Sequence, residues 1–137
     1  MGNQQILLLV LGMIIVGITI AVAVILVNEN AVTSNRDAMS TDLMNIAVRA
    51  QQYYNTPGPM GGGGRSFLGL TADAAGMLKL VSTEMSDNPN GTYSIRAAGN
   101  NTRVIFQSVG RFELADGSFP TMICTVTQGS AMVEIEN

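Results

Sequence analysis

The sequence contains no histidine and a single cysteine among its 137 residues. Histidines and paired cysteines supply many metal ligands, catalytic bases and nucleophiles. Their scarcity therefore excludes most kinds of metal-binding and catalytic site. The sheet region has two close acidic pairs, Glu113 with Asp116 and Glu134 with Glu136. Residues two apart on a strand share a face, so Glu134 and Glu136 fit a solvated edge better than a metal site or an acid–base pair. We therefore expect the protein not to be an enzyme and to use no cofactor or metal.

Basic residues are also few, with seven Lys and Arg against ten Asp and Glu and a net charge of −3. Binding of nucleic acid calls for a cluster of basic side chains, so no nucleic-acid partner is expected. The lone Cys124 cannot form an intrachain disulfide. We interpret it as a small buried side chain, with a bridge between subunits as the less favoured alternative.

None of the first 28 residues is charged, and residues 6–27 form an almost entirely apolar run. As a helix this run would rise about 33 Å, enough to cross a hydrocarbon core of about 30 Å. It is longer than the apolar part of a signal peptide, roughly 7 to 15 residues, and no basic segment precedes it. We interpret it as a membrane-spanning segment rather than a removed signal.

The apolar residues beyond this run recur at intervals of three, four or seven, the spacing of one helix face. Neither Gly nor Pro occurs between Thr19 and Thr56, and Pro57 then disfavours helix. One helix over about residues 3–54 is predicted, with charged residues such as Asp42 off the apolar stripe. The stripe consists of Val32, Met39, Leu43, Ile46, Ala50 and Tyr53.

The C-terminal part reads as short strands separated by Gly- and Asn-containing turns. The strand-like segments are residues 92–97, 102–109, 111–115, 121–128 and 131–136. They predict about four antiparallel strands, preceded by a short helix over residues 72–81 capped by Thr71. A small sheet needs a cover for its apolar face, and the helical stripe is the obvious candidate.

The predicted fold class is therefore α+β, with two parts. Residues 1–54 form the long helix, and residues 55–137 form a β-rich head domain that packs with residues 28–54. Asn90 and Asn100 each begin an Asn-x-Thr pattern, which makes them possible glycosylation sites on surface loops.

This organisation resembles the type IV pilins and pseudopilins. The likeness rests on a short polar N-terminus, an uncharged apolar helix, and an amphipathic continuation ending in Tyr53-Tyr54 before a Pro-containing loop. The family usually carries a glutamate near the mature N-terminus, whereas the matching position here, counted from Met1, is Gln5. The disulfide loop frequent in pilins cannot form with Cys124 alone.

The resemblance implies a lollipop-shaped subunit whose apolar helices bundle at the centre of a filament. Its partners would be copies of itself, the membrane before assembly, and a pilus or secretion machinery. The N-terminus would lie on the cytoplasmic side of the cytoplasmic (inner) membrane and the head outside, and assembly would place the subunit in an extracellular filament. Helix packing in the filament core is expected at Ile6, Leu9, Gly12, Met13, Val16, Gly17, Ile20 and Val24.

The leading hypothesis from the sequence is thus a structural subunit of a pilus-like helical filament. Two alternatives stay open, namely a minor pseudopilin of a secretion apparatus and a single-pass, membrane-anchored binding protein. Small residues let helices approach closely, which favours assembly over a lone anchor. Glycine also weakens a helix, so the segment from Gly12 to Thr19 is expected to loosen in the filament, the alternative being close contacts along a continuous helix.

Overall fold

A single helix, α1, accounts for the N-terminal part of the computed structural model, which describes residues 2–137. It runs over Gly2–Asn55, is 54 residues long and extends about 81 Å at roughly 1.5 Å per residue. The helix ends where the sequence predicts. Thr56 closes the last turn by donating its backbone N–H to the Gln52 carbonyl at 2.9 Å, and Pro57 leads into a 3-10 turn over Gly58–Met60.

The head combines two short helices with one antiparallel sheet, so the α+β prediction is confirmed. The sheet is a meander in which each strand pairs with the next along the chain, in the order β1-β2-β3-β4-β5. The elements after α1 are α2 at Ala74–Leu78, α3 at Thr83–Ser86, β1 at Asp87–Asn88, β2 at Gly91–Ala97, β3 at Arg103–Gly110, β4 at Thr121–Thr127 and β5 at Ala131–Ile135.

The sheet differs from the sequence prediction at two places. The two-residue strand β1 was not expected, and it raises the strand number from about four to five. The prediction of a strand over residues 111–115 is wrong, because this segment is part of the loop between β3 and β4. Leu114 there donates its N–H to the Ser118 carbonyl at 2.7 Å, and Gly117 closes the turn at a positive φ of 82°.

The predicted helix over residues 72–81 is shorter than expected. Only Ala74–Leu78 is helical, and its cap is Asp73, whose carboxylate accepts a hydrogen bond from the Gly76 N–H at 2.8 Å. Thr71 instead donates its hydroxyl to Asp73 at 2.6 Å. The carboxylate is the stronger acceptor and draws the helix start two residues further along the chain.

The core lies between the second half of α1 and the inner face of the sheet. Burial alternates along β3 and β4, as expected for strands with one covered face. Cys124 on β4 is fully buried, in agreement with its interpretation as a core residue. The fully buried side chains of the core include Met39, Leu43, Ile46, Ala50, Phe67, Leu70, Phe106 and Val126.

Of the six residues predicted to pack on the sheet, Tyr53 is placed differently. Val32, Met39, Leu43, Ile46 and Ala50 are buried as expected, but Tyr53 is only half buried. Its hydroxyl donates to the Leu68 carbonyl at 3.1 Å. The next residue, Tyr54, takes the core position, and its ring lies 4.9 Å from that of Phe67. Both tyrosines are one turn beyond Ala50, so helical spacing alone does not separate them.

The end of β3 approaches α1 closely, and this contact requires glycine. A Cβ atom on Gly110 would overlap Asn35 Oδ1 and would come within 2.7 Å of Pro120 Cγ and 2.9 Å of Met39 Sδ. The helix and the sheet are therefore in backbone-to-side-chain contact at this level. The contact places the β3–β4 loop beside residues 28–36 of the helix.

Candidate assembly surface

The first half of α1 is an apolar surface that the head leaves uncovered. Every residue from Gly2 to Asn30 is exposed, including seventeen large apolar side chains between Ile6 and Val27 with 47% to 70% of their surface accessible. The predicted filament-core residues Ile6, Leu9, Met13, Val16, Ile20 and Val24 belong to this set. They are no more exposed than their neighbours, so this first half of α1 has no single apolar face but is apolar on all sides.

The two predicted packing glycines lie within unbroken helix. α1 is continuous through Gly12 and Gly17, and a Cβ added at either would meet no atom within 4 Å. In the isolated subunit the helix is thus unbroken at both glycines, with open space beside each of them. The expected loosening between Gly12 and Thr19 concerns the assembled filament and stays a prediction.

The N-terminal half of α1 also meets the length and composition requirements of a membrane-spanning helix. Its apolar residues face outward in every direction, which is the arrangement that a lipid environment accepts. The helix is therefore compatible with a transmembrane segment, and this weakly supports membrane association of the chain.

A shallow depression lies near the C-terminal end of the apolar half. Its lining residues are Ile20, Ala23, Val24 and Val27. Their spacing of i, i+3, i+4 and i+7 is that of the four residues that receive one side chain from a facing helix. The small Ala23 between larger neighbours creates the depression. Ile20 and Val24 were expected at packing positions, and Ala23 is one of the small residues that let helices approach closely. Val27 was not expected at a packing position.

A polar cluster attaches α1 to the head at Asp42. Its Oδ2 accepts hydrogen bonds from Asn88 Nδ2 and Asn90 Nδ2 at 3.0 Å each and from the Tyr93 hydroxyl at 2.7 Å. Burial raises the pKa of Asp42, but the three hydrogen bonds outweigh it, so the pKa lies below its usual range. Burial and the neighbouring carboxylate raise the pKa of Tyr93, which keeps its donor proton in place. The charged carboxylate therefore holds the β1–β2 turn against the helix.

Asn35 makes a second polar attachment below Asp42. Its Nδ2 donates to the Asn90 carbonyl at 2.6 Å, and its side chain is buried. The apolar stripe has a spacing of seven residues between Val32 and Met39, twice its usual step, and Asn35 lies within that gap. The gap was the sequence signal for a buried polar residue. Neither Asn35 nor Asp42 was predicted to contact the head, because hydrogen-bond partners more than 40 residues away are not visible in helical spacing.

The two possible glycosylation sites differ in their surroundings. Asn90 is half buried, and its side-chain nitrogen, to which a glycan would be attached, donates to Asp42. Asn100 is exposed in the β2–β3 loop, where its Oδ1 accepts hydrogen bonds from Thr102 and Arg103. Glycosylation stays a prediction at both positions, and a glycan at Asn90 would displace the contact with Asp42.

No protein-family model, no curated protein and no solved structure matches this chain. Within residues 2–137, no three His, Cys, Asp or Glu side chains come together in a way that could hold a metal ion.

Proposed function

We propose that this chain is a structural subunit of an extracellular, pilus-like helical filament, built by packing of the apolar halves of α1 from many copies. The observation that carries the proposal is the uncovered surface of residues 6–27. Full burial of a Val, Leu or Ile side chain is worth about 1.5–3 kcal/mol, and about half of that surface is still exposed here. Exposing seventeen such side chains to water would therefore cost on the order of 20 kcal/mol, so a helix that leaves the membrane must be covered by apolar neighbours.

One partner helix cannot bury the whole of this surface, because a single neighbour covers only one side of a helix that is apolar on all sides. Several copies can do so, each contributing one face. The uncharged surface allows a helix to be surrounded without burying an unpaired charge. The depression at Ala23 can receive a side chain from a neighbouring helix. In this arrangement the helices form the core, and the heads with the loop over residues 57–66 form the outer wall.

Before assembly the same helix would span the cytoplasmic (inner) membrane, and a pilus or secretion machinery would transfer it into the filament. The uniform exposure of α1 suits lipid as well as other helices, so a single-pass anchored binding protein is the competing function. A minor pseudopilin, built alike but assembled into a short structure, is the closer variant. Chemical catalysis is not part of any of these functions.

Electron microscopy of material sheared from cells, with mass spectrometry of the isolated fibres, tests the proposal directly. We expect filaments that contain this chain. The variant Ile15→Asp should abolish them, because a charge in the middle of the core would be buried without a partner. The matched control is Met60→Asp, which places the same charge on a residue that is 77% exposed in the head and should leave filaments intact.

Membrane fractionation separates the possible outcomes. Loss of filaments with the Ile15→Asp chain still in the membrane fraction and its head still folded supports assembly through the helix. Filaments that persist in Ile15→Asp would contradict the proposal. A native chain that stays monomeric in membranes would favour the anchored binding protein instead.

A further inference from the structure

The loop between β3 and β4, residues 111–120, lies beside the point where α1 leaves its apolar half. Leu114 and Ala115 of this loop line a cleft together with Asn28, Val32 and Arg36 of the helix. The loop is held there because Gly110 at its start contacts Asn35 and Pro120. The loop thus lies beside the C-terminal end of the uncharged segment.

This loop carries two exposed phenylalanines. Of the four in the chain, Phe67 and Phe106 are fully buried in the core, whereas Phe112 and Phe119 are 46% and 41% exposed. Exposed rings of this size are costly in water. Both belong to the one loop that adjoins the apolar end of the helix.

The rise of the helix sets the level of this loop relative to a bilayer. A hydrocarbon core of about 30 Å within a total thickness of about 40–45 Å leaves an interfacial layer of about 5–8 Å on each side. If residues 6–27 span the core, residues 28–32 rise about 7.5 Å through that layer. The lower part of the cleft, along residues 28–32, therefore lies at the membrane interface.

The charges near the loop give no net attraction to anionic lipid, because Arg36 and Glu29 of the cleft carry opposite charges. Arg111 is paired with Asp87, and Glu113 and Asp116 leave the loop itself negative. Contact with lipid would therefore depend on the apolar rings and would favour a zwitterionic surface. Apolar side chains of peripheral segments reach about 5–10 Å into the headgroup and acyl boundary, which is the depth available here.

We propose that, while α1 spans the membrane, the β3–β4 loop seats the head on the bilayer by inserting Phe112 and Phe119 into the interfacial layer of zwitterionic lipid. The seat gives the head a second attachment to the membrane besides its helix. This inference depends on α1 as a membrane span and concerns the subunit before assembly, so it does not require that filaments form.

Tryptophan fluorescence tests the seat, since the chain has no tryptophan of its own. The full chain is reconstituted into phosphatidylcholine vesicles with lipids brominated near the top of the acyl chains. We expect Phe112→Trp and Phe119→Trp each to show blue-shifted emission and quenching several-fold stronger than the control. The control is Met60→Trp, because Met60 follows the far end of α1, about 42 Å along the helix from Val27.

A fourth reporter, Ile15→Trp, shows whether α1 is in the lipid. It is measured in vesicles of lipid brominated near the ends of the acyl chains, because Ile15 lies close to the middle of the proposed span. Unquenched emission from both loop reporters, equal to that of Met60→Trp, would overturn the seat if Ile15→Trp is strongly quenched. If Ile15→Trp is unquenched as well, α1 does not span the bilayer and the seat is wrong for that reason. Filament formation is measured separately by electron microscopy, so failure of the seat and failure of the proposed assembly are distinguishable.

Discussion

The contact between α1 and the sheet is best tested by truncating Leu43. This side chain is fully buried in the core that also contains Ile46 and Phe106. Leu→Ala substitutions at such sites cost about 2–5 kcal/mol, because the lost transfer free energy adds to that of the cavity. A helix held by neighbours on both sides of Leu43 cannot close the gap, so we expect about 3 kcal/mol.

The measurement is urea unfolding of the full chain in micelles, followed by the near-ultraviolet circular dichroism of the tyrosines. With a slope of about 1–1.5 kcal/mol per molar urea for a domain of this size, the midpoint of Leu43→Ala should fall by about 2–3 M. Leu43→Asp should be more damaging, since it buries an unpaired charge. The control is Met44→Ala, next in sequence but 43% exposed. Equal midpoints for Leu43→Ala and Met44→Ala would refute the packing of α1 on the sheet.

Three further predictions concern single residues of the head and its helix. Asp42 has a lowered pKa in the folded state, so its stabilising effect is present above about pH 4 and is lost as the pH falls through the folded pKa. In a plot of unfolding free energy against pH, Asp42→Asn should therefore reduce the loss of stability at acidic pH. An unchanged loss would contradict the role of the hydrogen bonds of Asp42. Gly110→Ala should destabilise the head by about 1–3 kcal/mol through overpacking against α1, measured by the same urea unfolding, and a neutral effect would show that the approach is looser. Burial raises the pKa of Cys124 to about 11, so a maleimide at neutral pH should label it only after unfolding, and rapid labelling of the native chain would contradict its burial.

The long helix and four of the five strands could be predicted from the sequence, because each depends on a local pattern. The absence of Gly and Pro after Gly17 allows one helix up to Pro57, and alternation in residues such as Met122, Cys124 and Val126 identifies a strand with one buried face. The segment over residues 111–115 was assigned wrongly for the same reason. Its residue types suit a strand, but it lies beyond the end of the covered face and turns back instead.

The attachment of the helix to the head could be predicted only in part. The apolar contacts at Met39, Leu43, Ile46 and Ala50 follow from helical spacing, whereas Asp42 depends on donors that the β1–β2 turn brings from more than 40 residues away. The choice of Tyr54 over Tyr53 depends on Phe67, which no local pattern connects to the helix. The uncovered apolar surface was predictable as a run of uncharged residues, but the depression at Ala23 needed the geometry of the side chains.

Because α1 continues without interruption from its apolar half into the head, the two halves have a fixed angular phase. Inserting one residue near residue 28 would turn the head by about 100° around the helix axis and lift it by about 1.5 Å. Inserting seven would restore the direction to within about 20° while lifting the head by about 10 Å. The number of residues between the apolar run and Asn35 therefore sets the rotational orientation of the head around the axis of α1 as well as its distance from the apolar run.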